Sequence, residues 1–157
     1  MSRQQMNIRP YTPTDWRRVC EIHDVARRDE LAAAGLGDAY LTLAQTADNE
    51  GFHEYEIRVA ERDDGHVLGF VAFSPDELAW LYVDPLFYGK GVGSALIQAA
   101  LRETGAALSA EVLDGNRAAL ATYKKAGFVE TGQAHGRMPG NESFAVTVSE
   151  LRHPGLA

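Results

Sequence analysis

The sequence predicts an α/β (α+β) fold, with one domain built on a mixed, mainly antiparallel sheet of about six to seven strands and helices on both faces. Three observations carry this. From Glu54 onward apolar and polar residues alternate with the period of strands, in consecutive segments joined by turn residues. Two strand-to-helix crossovers follow, which put helices against the sheet. A chain of 157 residues, 45% hydrophobic and 24% charged, can bury one sizeable core but not two.

Asn7 to Tyr11 reads as a first strand, which Pro10 confines to an edge or a strand end because proline donates no backbone hydrogen bond. Thr12, Pro13 and Asp15 then supply a helix start: a capping hydroxyl, a proline at the first helical position and an acid where a capping box holds one. Trp16, Val19, Cys20, His23 and Ala26 share one helix face, and the helix is predicted to end near Arg28. Ala32 to Asn49 is helical in parts, interrupted by Gly35 and Gly37. Tyr55 to Ala60 and Val67 to Phe73 form a hairpin about the Asp64-Gly65 turn. After the break at Ser74, Pro75 and Asp76, Glu77 to Val83 is apolar on both faces beyond its first residue, the pattern of a central strand. A helix from Gly91 to Thr104, a strand from Ala107 to Val112, a helix from Arg117 to Ala126 and strands at Val129 to Ala134 and Phe144 to Glu150 complete the order. Gly132 to Asn141, with three glycines and Pro139, reads as a mobile loop.

The net charge of −7 and the lack of any Lys/Arg cluster exclude a general nucleic-acid binder and suit cationic partners. The single cysteine, Cys20, can make no internal disulfide, nothing beside it would activate a thiolate, and no Cys/His spacing matches a metal site. Met1 to Pro10, polar at Ser2, Arg3, Gln4, Gln5 and Asn7, is neither a signal peptide nor a transit segment. No run approaches the roughly 20 apolar residues of a membrane span, so a cytoplasmic protein without membrane partners is expected.

The chemistry concentrates in Asp84 to Ala95, D-P-L-F-Y-G-K-G-V-G-S-A, which enters a helix directly after the predicted central strand. Glycines let backbone approach a ligand closely, and first-turn amides have no helical partner, so the loop is suited to an anion such as phosphate. A tight turn with nothing bound has the same composition. The nucleoside-triphosphate loop is excluded, because Gly91 follows Gly89-Lys90 and Asp84 stands where its first glycine belongs. The dinucleotide fingerprint is a rival: Ser94 replaces its last glycine, although Glu111 lies about twenty residues on, where an acid would hold a ribose.

The run L-Y-V-D-P-L-F-Y-G-K-G-V-G-S-A-L, followed by N-R-A-A-L-A-T-Y-K-K-A-G-F, resembles the GNAT superfamily of acetyl-CoA-dependent N-acetyltransferases over nearly the whole chain. The first segment is similar to the family's acyl-CoA loop, [QR]-x-x-G-x-[GA], with Gly91 and Gly93 at the glycine positions. The second is similar to N-x-x-A-x-x-x-Y-x-x-x-G-F, matched by Asn116, Ala119, Tyr123, Gly127 and Phe128. Tyr88 departs from the pattern by standing at the Gln/Arg position, which puts that side-chain contact in doubt. The resemblance implies a sheet splayed at its centre and acetyl-CoA as co-substrate, with no metal. The coenzyme A pyrophosphate would lie over Tyr88, Gly89, Lys90, Gly91, Val92, Gly93 and Ser94, and the pantetheine would pair with backbone at Leu81, Tyr82 and Val83. It further implies a direct transfer to an amine in a ternary complex.

Two catalytic candidates follow. Tyr123 lies seven residues after Asn116, about 20° short of two helical turns, so both occupy one face. The family's tyrosine here protonates the leaving thiolate; by pattern alone Tyr123 reads as an amphipathic core residue, and Asn116 as an N-cap. An alkylammonium must lose its proton before attack, and Glu77 falls where some family members carry a general base. A regular strand would put Glu77 on one face with Ala79, Leu81 and Val83, where burial would raise its pKa; a solvated strand end is the competing reading. Glu111 is the runner-up base. The resemblance implies that His23 borders the acceptor pocket, whereas a lone histidine on an apolar helix face is more often a core residue; Asp24, Asp29 and Glu30 attract a cation or form a solvated face. The Gly132 to Asn141 segment could close over the acceptor or pack in a homodimer. A non-catalytic acyl-CoA-binding module and a nicotinamide-dependent reductase remain as alternatives.

Overall fold

The computed structural model describes residues 5–156; Ser2, Arg3 and Gln4 of the polar leading segment lie outside it. Strand β1 (Asn7–Pro10) pairs antiparallel with β2 (Glu56–Glu61), β2 with β3 (Val67–Phe73) and β3 with β4 (Leu78–Val83). Pro10 closes β1 at the sheet edge, so its missing N–H spoils no ladder. The second half forms its own antiparallel sheet in the order β5-β7-β6, from β5 (Leu108–Leu113), β6 (Val129–Met138) and β7 (Asn141–His153). The two sheets touch through one parallel bridge, Glu77 to Ser109, backed by the Ser109 amide donating to the Asp76 carbonyl at 2.9 Å. β4 is therefore central in the whole array but is hydrogen-bonded along its length only to β3. Beyond the bridge its other flank opens.

The first helix outruns its expected end at Arg28. A 3₁₀ turn (Pro13–Asp15) runs into α1 (Trp16–Ala33), with Asp15 accepting from the Thr12 amide at 2.8 Å and from both Arg9 terminal nitrogens at 2.9 Å. The buried stripe continues through Leu31. Gly35 (φ 73°) then stops the helix, the Leu36 amide bonding back to Leu31 at 2.8 Å and the Gly35 amide to Ala32 at 3.1 Å. Helix α2 (Leu43–Glu50) is capped by Thr42, whose hydroxyl accepts from Gln45 while the Gln45 side chain accepts from the Thr42 amide.

Every residue of β3 is buried, because both faces of the sheet are covered. Phe70 and Ala72 pack with Val19, Ile22 and Leu43 under α1 and α2. Val71 and Phe73 pack with Leu96, Ile97 and Leu101 of α3 (Val92–Thr104) and with Tyr123 of α4 (Arg117–Lys125).

The segment Gly132 to Asn141 is a correction: it is strand rather than loop. β6 continues to Met138 and pairs with β7 up to a tight turn at Pro139 and Gly140 (φ 78°). Its glycines serve the hairpin, Gly132 at a register shift and Gly140 in the turn, while Met138 is buried with Leu31, Ala39 and Leu113.

Gly69 of β3 sets how closely β4 and α3 approach. A Cβ there would lie 2.8 Å from the Tyr82 carbonyl oxygen and 3.1 Å from a Val92 methyl, both on rigid elements. Gly69→Ala is expected to destabilise the fold by about 1–3 kcal/mol through overpacking, measured as a lower urea midpoint with unchanged slope.

Candidate active site

At the end of β4 the chain is anchored before it reaches the glycines. The Asp84 amide donates to the Leu68 carbonyl at 2.8 Å, and the Asp84 carboxylate accepts from the Leu86 amide at 3.0 Å and from Arg18 of α1 at 2.6 Å. Arg18 also donates to the Val67 carbonyl at 2.9 Å, so a single guanidinium ties the loop to both α1 and β3. A 3₁₀ turn at Pro85–Phe87 leads into Gly89 (φ 74°) and Gly91 (φ 86°), two left-handed positions where glycine is the unstrained residue. Gly93 is not among the positive-φ glycines. The first helical hydrogen bond of α3 runs from Ala95 to Gly91 at 3.0 Å, which leaves the Val92, Gly93 and Ser94 amides without helical partners.

These amides open on a cleft of about 810 Å³ between the loop, β4, β5 and α4. Leu81, Tyr82, Val83, Gly89, Val92 and Asn116 line it, along with Tyr88, Lys90, Gly91, Gly93, Ser94 and Tyr123. The twelve residues singled out for a cofactor thus face one space. Tyr88 is half exposed, and its phenol is pushed up to about 12 by partial burial and by the nearby Asp29, Glu30 and Asp84 charges. Tyr123 is buried, its ring edge-on to Phe128 at 5.1 Å. Burial, with the Glu30 charge, raises its pKa well beyond the usual phenol value, so it is protonated at neutral pH. Asn116 caps α4, accepting from the Ala119 amide at 3.3 Å, while its amide nitrogen donates to Glu30 at 3.2 Å.

A second cleft, of about 730 Å³, lies on the other side of the opening between β4 and β5. Glu77 belongs to this cleft and not to the first. Its predicted face is a correction. The β3–β4 register slips between Trp80 and Leu78, so Leu78 joins the core cluster against which Leu81 and Val83 pack, despite the odd spacing. Alternation past that bulge sends Glu77 to the opposite side, where its half-buried carboxylate accepts a hydrogen bond from the Tyr55 hydroxyl. That bond, followed by burial and the Glu77 charge, pushes the Tyr55 phenol up to about 12, and Tyr55 lies edge-on to Trp80 at 5.1 Å. No local pattern marks Tyr55 as a site residue, because its partner is 22 residues away.

Four residues line both clefts: Glu30, Ala79, Tyr82 and Glu111. Glu111 stands opposite Glu150 on β7 and, unlike Glu77, reaches both spaces. Glu30 is no member of a solvated face. It accepts from the Tyr82 hydroxyl at 2.7 Å, from Arg27 at 2.6 Å and from Asn116, with its side chain 16% exposed. His23 is a buried wall residue of the second cleft, bonded to Asp24 at 2.9 Å and edge-on to Tyr82 at 4.9 Å, and burial holds its pKa below the usual histidine value. Asp24 is structural as well, accepting from the Leu43 amide at 3.0 Å. Asp29 faces the first cleft. Among the described residues no group of three or more His, Cys, Asp or Glu side chains is arranged to hold a metal ion, and no helix is long and apolar enough to cross a membrane.

Comparison with known proteins bears on this arrangement. The family model described as "Acetyltransferase (GNAT) domain" matches residues 50–130, just over half the chain. A protein named peptidyl-lysine N-acetyltransferase YjaB, from Salmonella typhimurium, is 29% identical over 99 residues, covering 63% of this chain and 68% of its own length. A crystal structure of a GCN5-related N-acetyltransferase from Rhodopseudomonas palustris superposes with a TM-score of 0.80 at 22% identity, covering 98% of both chains. The structure of yncA from Salmonella typhimurium, described as with its cofactor acetyl-CoA, superposes with a TM-score of 0.67 at 20% identity, covering 96% of this chain and 94% of that one.

The Arg18–Asp84 contact is the loop's main tie to the rest of the fold. Burial alone would raise the Asp84 carboxyl, but the hydrogen bonds from Arg18 and Leu86 outweigh it and hold the group below its ordinary 3.8. Asp84→Ala, which removes the carboxylate from the Arg18 guanidinium and leaves it the Val67 carbonyl, is expected to cost about 1–3 kcal/mol. Because the folded-state pKa is depressed, this difference from wild type is full above pH 3.8 and shrinks as pH falls through the lowered value, a trend that urea titrations from pH 7 to pH 2.5 would test.

Proposed function

The chain belongs to the acetyltransferase (GNAT) domain family and is an N-acetyltransferase, and on that premise we propose that it moves the acetyl group of acetyl-CoA to a primary amine by direct attack within a ternary complex. One observation carries the mechanism: an anion-suited glycine loop opens on one cleft, a carboxylate-rich cleft lies beyond it, and the two meet at the gap between β4 and β5. The nicotinamide alternative loses its basis with the family assignment. A purely binding role is disfavoured by the second cleft, which a sensor of acyl-CoA would not need.

The first cleft fits coenzyme A. The free amides of Val92, Gly93 and Ser94 at the N-terminus of a 13-residue helix, with Lys90 beside them, are suited to its pyrophosphate, and the left-handed Gly89 and Gly91 keep side chains out of the way. The flank of β4 at Leu81, Tyr82 and Val83 lacks a ladder partner toward β5 and is suited to an extended amide-bearing arm. Asn116 and Tyr123 line the same space from α4. Acetyl-CoA supplies the activated acyl group as a thioester; the protein supplies proton traffic. Tyr123, protonated and buried, serves as the acid toward the departing sulfur. Glu77 serves as the base toward the amine, directly or through a water, with Glu111 the second candidate because it borders both clefts.

We assign the acceptor to amines borne on a flexible alkyl chain, of which a peptide lysine is the type. The second cleft is lined by Glu30, Glu50, Glu77, Glu111 and Glu150 against Arg27 and Arg152, a balance that attracts an alkylammonium, and a relative named for peptidyl-lysine acetylation points the same way. A cytoplasmic setting agrees with the lone Cys20 and with the lack of a membrane-length apolar helix among the described residues.

Thiol release from acetyl-CoA in the presence of lysine peptides tests the activity. Tyr123→Phe keeps the ring against Phe128, so acetyl-CoA binding is expected to survive while kcat falls by about 100-fold. A loss confined to acetyl-CoA affinity would make Tyr123 a packing residue instead. Glu77→Gln is expected to slow the reaction most near neutral pH and to recover as alkaline medium deprotonates the amine; pH–rate profiles running parallel to wild type would transfer the role to Glu111. Gly91→Val forces a β-branched residue to φ 86° under the anion site, and calorimetry should show weakened acetyl-CoA binding.

A further inference from the structure

Among the described residues, Glu30 is the one side chain that hydrogen-bonds β4, α1 and the cap of α4 at once, at the point where the two clefts meet. One carboxylate oxygen, Oε1, accepts from the Tyr82 hydroxyl at 2.7 Å and from Arg27 at 2.6 Å. The other, Oε2, accepts from Asn116 Nδ2 at 3.2 Å. This second bond fixes which way the Asn116 amide points. With Nδ2 turned to Glu30, Oδ1 is left to accept from the Ala119 amide and cap α4. The helix so held carries Asn116, Ala119, Thr122 and Tyr123 along one wall of the first cleft, while Tyr82 forms the wall across from it.

We propose that Glu30 is a positioning residue for acetyl transfer: through the Asn116 amide it sets the distance of α4 from β4, and with it the shape of the acetyl-CoA cleft. The assignment rests on the acetyltransferase reading of that cleft. Hydrogen-bond polarity makes it specific. A glutamine at position 30 would keep an oxygen for Tyr82 and Arg27 but turn its NH₂ toward the Asn116 NH₂, so either the contact or the cap is lost. An aspartate at position 116 would face the Glu30 carboxylate with a second carboxylate. Combining the two changes restores a donor opposite an acceptor, keeps one negative charge in the pair, and leaves a competent capping oxygen on α4.

The test is a double-mutant cycle read by acetyl-CoA calorimetry and thermal melting on wild type, E30Q, N116D and E30Q/N116D. Each single change is expected to weaken acetyl-CoA binding about fivefold, the scale of one hydrogen bond, and the double variant is expected to bind more tightly than either single one. A double variant weaker than both singles overturns the proposal. So do four chains of equal acetyl-CoA affinity that differ only in melting temperature, which would make Glu30 a plain structural bridge. Should a single variant fail to fold, the double variant must still fold and bind within about tenfold of wild type, and its failure to do so counts against the proposal. Wild type without acetyl-CoA affinity overturns the acetyltransferase reading together with this assignment, whereas normal wild-type binding with an unaltered E30Q overturns this assignment alone.

Discussion

The organisation of this protein depends on a sheet that stops pairing halfway across. β4 is bonded to β3 along its length but meets β5 only at the Glu77–Ser109 bridge, with the Ser109 amide reaching the Asp76 carbonyl. Past that contact the strands diverge, and backbone groups that would ordinarily be satisfied by a neighbour face a cleft. The opening is tolerated because the two sheets share one core: Val71, Phe73 and Leu78 of the first are buried in the same cluster as Leu108, Val112 and Leu151 of the second. β3 lies buried between two helical layers, and the β5-β7-β6 sheet is extended by a long hairpin whose turn is closed with Pro139 and Gly140.

The same opening decides the electrostatics. On one side the amides at the start of α3 and the Lys90 charge favour an anion; on the other, a group of carboxylates favours a cation. Keeping charges of one sign close together costs free energy unless each is held by a partner. The structure answers this locally. Tyr55 holds Glu77, while Tyr82, Arg27 and Asn116 share Glu30, so these two acids are hydrogen-bonded before any ligand arrives. Tyr82 and Tyr123 keep their protons because burial penalises the phenolate and the neighbouring Glu30 charge adds to that penalty.

Much of this was legible along the chain wherever the deciding interaction is short-ranged. The Thr12-Asp15 contact that starts the first helix, the two-strand hairpin and the turn of the glycine loop into α3 all depend on residues within a few positions of one another. α1 runs past Arg28 because Leu31 extends the buried stripe and Gly35, seven residues on, supplies the stop. Gly132 to Asn141 differs from its loop-like composition for the opposite reason: its glycines become strand only with β7 present to pair with them.

What the sequence determined by itself was the order of elements, the glycine loop with its unpartnered amides, and the α4 motif that gathers Asn116 and Tyr123 on one face, since local dihedral preference and helical periodicity suffice for each. The tertiary structure alone decided three things. It set the last contact between β4 and β5 at the Glu77–Ser109 bridge, it turned Glu77 away from Leu81 and Val83 through a one-residue register slip, and it drew Glu30 out of an apparent surface run into contact with Tyr82 and Asn116, 52 and 86 residues distant. Strand register and long-range hydrogen bonds depend on which surfaces meet in three dimensions, and a shift of one residue reverses every side chain beyond it, so no local pattern can fix them.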